Sequence, residues 1–360
     1  MDTIGIGVIG CGYFGREFAN LANEVNGLRT VAVFGGRNAA KTAEETGSVF
    51  TDSLEALLEV EGVDAVIIAS PNDSHKEPAL MAAARKKHVF CEKPVALTPE
   101  DTSEMLDACL SQNVRFMAAH IMHLMPGIAK AKLLIEKGEI GTPILCHAER
   151  TGWDEPKPAD NWKKNTERSG GHLFHHIHEL DLLLSIMGPA EAVFTAGGRV
   201  AHRQGEQDDT LLLTLFFSDG RLGTMQYGSA FRSAEHFVKI NGTEGFVLLD
   251  LKKSQITVEN SAGVKAFNCH DSRAENEERV ALYKGMDGSV IHGDPSLRPP
   301  MFLKTLMKRE LEVFRDAIRH DVIPESLQSL FDGSAAYRSV ATASAAMRSL
   351  TAKRVIPIKN

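Results

Sequence analysis

The chain has 360 residues, more than one hydrophobic core usually serves, so two domains are expected. It is 43% hydrophobic and 24% charged, has no apolar run long enough to span a bilayer, and carries a net charge of −7, which argues against a nucleic-acid surface. Five scattered cysteines (Cys11, Cys91, Cys109, Cys146, Cys269), none in a C-x-x-C pair, point to a reducing compartment, and a first strand this close to Met1 leaves no room for a signal peptide, so a cytoplasmic location is expected.

Ile4, Ile6, Val8 and Ile9 predict a short strand, followed by Gly10-Cys11-Gly12-Tyr13-Phe14-Gly15 and then by good helix formers from Arg16 to Ala22. Strand, glycine turn, helix is the context that G-x-G-x-x-G requires. Gly10 permits a tight turn, Gly12 a close approach of backbone to a pyrophosphate, and Gly15 close helix–strand packing, with phosphates at the helix N-terminus. Tyr13 and Phe14, in the same turn, count as cofactor contacts as well. The bland alternative is a glycine turn that binds nothing; its place after an apolar strand favours the nucleotide. NAD or NADP is therefore the expected cofactor.

A second strand over 30–34 ends in Phe34-Gly35-Gly36-Arg37-Asn38, without the carboxylate that would accept from a ribose hydroxyl. Gly36 and Arg37 stand there instead. Arg37 is either a partner for a 2′-phosphate or a solvent-facing arginine at a helix start. Helices over 39–46 and 53–59 precede a buried parallel strand over 65–69. Ser70, Pro71, Asn72 and His75 follow at the edge where open α/β sheets bind ligands, and count as cofactor contacts. A helix over 77–87, a strand over 88–91, Glu92-Lys93-Pro94, a helix over 99–111 capped by Thr98, and a strand over 115–119 complete a Rossmann domain, residues 1–124.

From 125 to 360 the pattern changes. A helix over 126–137 is followed by short strand-like segments at 144–150, 193–198, 210–217, 223–229, 234–241, 245–249 and 254–258. They predict an α+β domain with a large, mostly antiparallel open sheet. Long helices are expected over 302–320 and 333–349, and loops over 152–167 and 274–300. Trp162 in the first loop walls a site or simply packs.

Ser169 to Asp181 is the unusual stretch. On one helix, Leu173, Phe174, Ile177, Leu180 and Leu184 share an apolar face, while His172, His175, His176 and Glu179 fall opposite, with His178 on the flank. A solvated face usually carries Lys, Glu and Gln; imidazoles titrate near neutrality and bring chemistry. With His120 and His123 they are expected to bind substrate at one cleft. A divalent metal held by His123, His172 and His176 is the less favoured alternative, and H-E-x-x-H is absent.

GCGYFG after a strand, then SPNDSH, then CEKP, resembles the Gfo/Idh/MocA family of nucleotide-dependent oxidoreductases over nearly the whole chain. The resemblance implies that Lys93 lies between nicotinamide and a substrate hydroxyl beside Glu92, with Pro94 holding the turn, often as a cis peptide. It maps His178 and Asp181 onto two family positions. The family's catalytic-type Asp is absent: alignment places Phe174 or His175 there, and His123 stands where an arginine is common. The implied substrate is a sugar, inositol or related polyol, and the implied assembly a dimer or tetramer through the C-terminal sheet. Two activities follow. One is hydride transfer with Lys93, His178 or His175 handling the proton; the other is glycoside cleavage through a transient keto-sugar on a tightly held nicotinamide. No nucleic-acid or membrane partner is expected.

Overall fold

The computed structural model describes residues 3–153, 162–202, 207–284 and 297–359. The first apolar run forms β1 (Ile4–Ile9), buried throughout, followed by α1 (Tyr13–Glu24). Then come β2 (Leu28–Phe34), α2 (Ala39–Thr46), β3 (Val49–Thr51), α3 (Leu54–Glu59), β4 (Ala65–Ile68), α4 (Lys76–Ala84), β5 (His88–Glu92), α5 (Pro99–Ser111) and β6 (Phe116–Ala119). The six strands form a parallel sheet ordered β3-β2-β1-β4-β5-β6. Strand order reverses beside β1, which places a ligand crevice at the C-terminal ends of β1 and β4. α5 begins as its sequence dictates, with the Thr98 hydroxyl accepting from the Asp101 N–H at 3.1 Å and Pro99 in the first turn.

Further on, α6 (Pro126–Glu136) leads to β7 (Pro143–Trp153), α7 (Thr166–Ser169), α8 (His172–His175) and α9 (His178–Met187). β8 (Ala192–Gly198), β9 (Thr210–Phe216), β10 (Leu222–Gly228), β11 (Ala230–Gly242), β12 (Gly245–Asp250), β13 (Gln255–Asn260) and β14 (Gly263–Asn268) follow. With β15 (Ile356–Pro357) and β7 they make a nine-stranded sheet ordered β14-β13-β12-β11-β7-β10-β9-β8-β15. Among the described residues of this sheet, only β7 and β10 pair in parallel. The segment 274–300, expected as a loop, begins instead as α10 (Arg273–Lys284); 285–296 lie outside the described residues, as do 154–161 of the other expected loop. β14 has no buried position, so it offered no alternation to read; it is an edge strand.

α11 (Met301–His320), α12 (Gln328–Phe331) and α13 (Ser334–Ala352) complete the helices. The chain divides into two compact units, Met1–Ile121 with Ile291–Tyr337, and Met122–Val290 with Arg338–Asn360. The expected 1–124 and 125–360 division thus differs in the segment carrying α11 and α12, which belongs with the first unit. The reason is packing: Phe314 of α11 meets Phe90 of β5 edge-on (5.7 Å between ring centroids), and Phe90 meets Phe18 of α1 in the same way (5.1 Å).

Candidate active site

In the first unit, the ends of β1, β2, β4 and β5 deliver the sequence motifs to one sheet edge. Gly10 has φ +92, and a Cβ there would stand 2.5 Å from the Ser70 nitrogen. A Cβ on Gly15 would stand 2.1 Å from the Gly10 carbonyl oxygen, whereas one on Gly12 would meet nothing within 4 Å. Gly12 therefore marks the open side of the turn. It caps α1 without a side-chain bond, and no acidic residue stands in the first turn of α1, so that helix end favours an anion. The Gly10 and Cys11 N–H groups donate to Phe34 and Gly35 oxygens at 2.8 Å each, tying the turn to the end of β2. Tyr13 is buried and meets Phe14 edge-on at 5.0 Å.

Gly36 (φ +87) and the exposed Arg37 follow β2. Beside them the Asn38 Nδ2 is buried with no hydrogen-bond partner among the described residues. Sequence reading passed over Asn38. An orphaned buried donor next to an open glycine turn is what a dinucleotide's ribose oxygens would satisfy, so the residues present fit that group.

The Ser70 hydroxyl donates to the Ser74 carbonyl at 3.1 Å, and Asn72 is buried after Pro71. His75, expected among the cofactor contacts, has its ring engaged within the protein. It is fully buried, its ring nitrogens lie 2.9 Å from the Pro94 and Ser70 carbonyl oxygens, and burial lowers its pKa. It is a strut between the two loops. Lys93, half-buried, donates its N–H to Glu92 Oε2 at 3.1 Å, and the Lys93–Pro94 peptide is cis. Burial raises the Glu92 pKa while Lys93 acts against it. His120 is buried after β6.

The second unit holds the histidine stretch, and here the expected single helix is corrected. α8 ends at His175, His176 leaves helical geometry (φ −115, ψ 44), and α9 starts at His178. His172, His175, His176 and His178 are all half-buried. Trp162 meets His175 edge-on at 6.0 Å, His175 meets His176 edge-on at 4.6 Å, and the His172 and His176 rings stack at 6.4 Å. Tyr227 of β10 closes the cluster, 6.1 Å from His172 and 5.5 Å from His176.

Just past the break, Glu179 lies in the core. It is fully buried, and its Oε1 accepts from Arg150 Nη1 at 3.1 Å and from His236 Nε2 at 2.7 Å. The Nδ1 of His236 accepts from the Tyr283 hydroxyl at the end of α10. Sheet register explains the convergence: Arg150 of β7 lies opposite Tyr227 of β10 on one side and His236 of β11 on the other. Burial alone would raise the Glu179 pKa, but Arg150 and His236 outweigh it and hold it well below the usual carboxylate range. His236 is pushed down to about 4, chiefly by burial, and is neutral at pH 7. Nearby, His123 Nε2 donates to Asp181 Oδ2 at 2.8 Å, both buried. Among the described residues no group of three or more His, Cys, Asp or Glu side chains could hold a metal ion, so His123, His172 and His176 do not form one.

A reversing parallel sheet with an open glycine turn, an Asn donor beneath it and a lysine at the same edge defines a dinucleotide-dependent oxidoreductase architecture. The chain belongs to the Gfo/Idh/MocA family: residues 4–120 match its "Oxidoreductase family, NAD-binding Rossmann fold" and residues 132–359 its "C-terminal alpha/beta domain". It is similar to 2,7-anhydro-N-acetylneuraminate hydratase of Mediterraneibacter gnavus, 40% identical over 97% of this chain and 95% of the relative. The hydratase of that name from Escherichia coli is 39% identical over 99% of this chain and 97% of its own. A levoglucosan dehydrogenase solved with NADH and levoglucosan shares the fold, with TM-score 0.80 at 20% identity over 99% of this chain and all of that one.

Proposed function

We propose that this protein opens the internal C–O bridge of an anhydro sugar acid of the 2,7-anhydro-N-acetylneuraminate type, using a nicotinamide cofactor without net redox change. The observation that carries the reading is the group of four half-buried histidines at the α8–α9 break, walled by Trp162 and Tyr227, in a chain that keeps Lys93. A plain hydride transfer needs one proton handled; opening a bridge needs more. The near full-length likeness to two hydratases of that compound supports the same reading.

When bound, the nicotinamide supplies the hydride acceptor that turns a carbinol carbon into a ketone and the donor that restores it. Lys93 and His178 take the hydroxyl proton at the first step and return it at the last. The ketone acidifies the neighbouring C–H. His175 and His176 remove that proton and deliver one to the bridging oxygen as its C–O bond breaks, and water adds at the carbon left behind. His120, His123 and His172 serve substrate binding, Gly36 and Arg37 leave room for a 2′-phosphate, and copies associate through the second unit's sheet.

A second reading, net dehydrogenation of a sugar or polyol, is favoured by the intact Glu92-Lys93-Pro94 turn. One assay separates them. With cofactor and 2,7-anhydro-N-acetylneuraminate, NMR should show the free sugar acid accumulating at constant reduced-nicotinamide absorbance. Stoichiometric formation of reduced nicotinamide without bridge opening would establish the second reading instead.

A further inference from the structure

The long helix of the first unit carries an acid where its pattern asks for an apolar residue. α11 buries Phe302, Leu306, Met307, Leu311 and Phe314, and Glu310 stands in that stripe with 1% of its surface exposed. Register fixes what it meets. Phe314, one turn further on, packs against Phe90, and Glu92 lies two residues beyond Phe90 on the same face of β5. Glu310 and Glu92 accordingly interact electrostatically, behind the turn that presents Lys93.

The two carboxyls are not equivalent. Glu92 is partly exposed, receives the Lys93 N–H at 3.1 Å and has the Lys93 charge beside it. Neither oxygen of Glu310 has a hydrogen-bond partner among the described residues. Ionising such a group costs several kcal/mol, and more beside a second anion. The other ionisable groups of α1 and of the β5 turn do not relieve it. Buried Glu17 of α1 is paired with Arg298, the Cys91 thiol is held protonated by burial, and His75 is engaged with backbone carbonyls. Burial, then Glu92, drives the Glu310 pKa well up.

We propose that Glu310 is a positioning residue that holds a proton, so that the space behind the Glu92-Lys93-Pro94 turn carries no negative charge beyond that of Glu92. A second anion there would keep Lys93 an ammonium and deprive the reaction of its base. The inference rests on the reading of Lys93 as the proton-transfer group, and its test has one arm that needs no turnover.

Infrared difference spectra of cofactor-loaded wild type and Glu310→Gln at pH 7 should show a protonated-carboxyl C=O band that the variant lacks; absence of that band overturns the proposal. In turnover, Glu310→Gln exchanges one neutral polar group for another and should leave the pH profile of kcat in place. Glu310→Leu, which suits the apolar stripe and stays folded, leaves Glu92 against hydrocarbon, weakens the anion beside Lys93 and should move the acidic limb down by about one unit, tenfold in proton affinity. A downward shift in Glu310→Gln would mean that Glu310 was ionised, and overturns the proposal. A band present with profiles that neither variant moves would overturn the positioning role. Loss of turnover in Lys93→Met would then show that the reading of Lys93 stands independently.

Discussion

Lys93→Met is expected to lower kcat by about a hundredfold or more while the protein stays folded, the usual cost of losing a positioned proton-transfer group. Methionine keeps the length and the apolar stem of lysine and removes only the ammonium, so packing at the end of β5 is preserved. Lys93 is half-buried, and the strut from His75 to the Pro94 carbonyl fixes the turn whichever side chain it presents. His178→Ala is expected to act in the same direction. Steady-state kinetics, with cofactor titration and thermal unfolding as controls, check both. Near wild-type turnover in either variant would move that residue to a structural role.

Glu179→Leu is expected to destabilise the second unit by about 3–5 kcal/mol, because it leaves the Arg150 guanidinium without its carboxylate and His236 without its acceptor. Arg150→Met together with Glu179→Leu should recover much of that loss, since no buried charge then stands alone. The pH dependence follows from the signs. His236 has its folded pKa depressed to about 4, so its contribution is full above its ordinary value and is lost as pH falls through that window. The loss should reach about 3 kcal/mol on going from pH 6.5 to 4. Glu179, held lower still, keeps its pair with Arg150 across that range. Urea unfolding at a series of pH values measures both effects.

The nucleotide-binding turn of the first unit was legible because its chemistry lies in contiguous residues whose local pattern names the fold. Ile4–Gly15 reads as strand, turn and helix without reference to anything distant, and Glu92-Lys93-Pro94 follows a recognisable buried strand. The second unit is different. Arg150, Tyr227 and His236 become neighbours only through the register of β7, β10 and β11, which no local window contains. Two of them left a trace: Arg150 continues the inward row of Cys146 and Ala148, and His236 that of Val238 and Ile240. A charge or imidazole where alternation calls for an apolar side chain is such a signal, and Glu310 gives it in helical form. The histidine stretch misled for a physical reason. A helical wheel presumes one helix, and the chain breaks at His176, with Glu179 beyond the break buried in the core.

The central claim is that the bridge opens through a transient ketone, and running the reaction in deuterium oxide tests it most directly. A ketone makes the neighbouring C–H exchange with solvent during elimination and addition. The account therefore predicts one non-exchangeable deuterium per product molecule, on the carbon next to the oxidised carbinol, located by NMR. Conversion to the free sugar acid with no deuterium on carbon would mean direct hydrolysis of the bridge and would contradict the account.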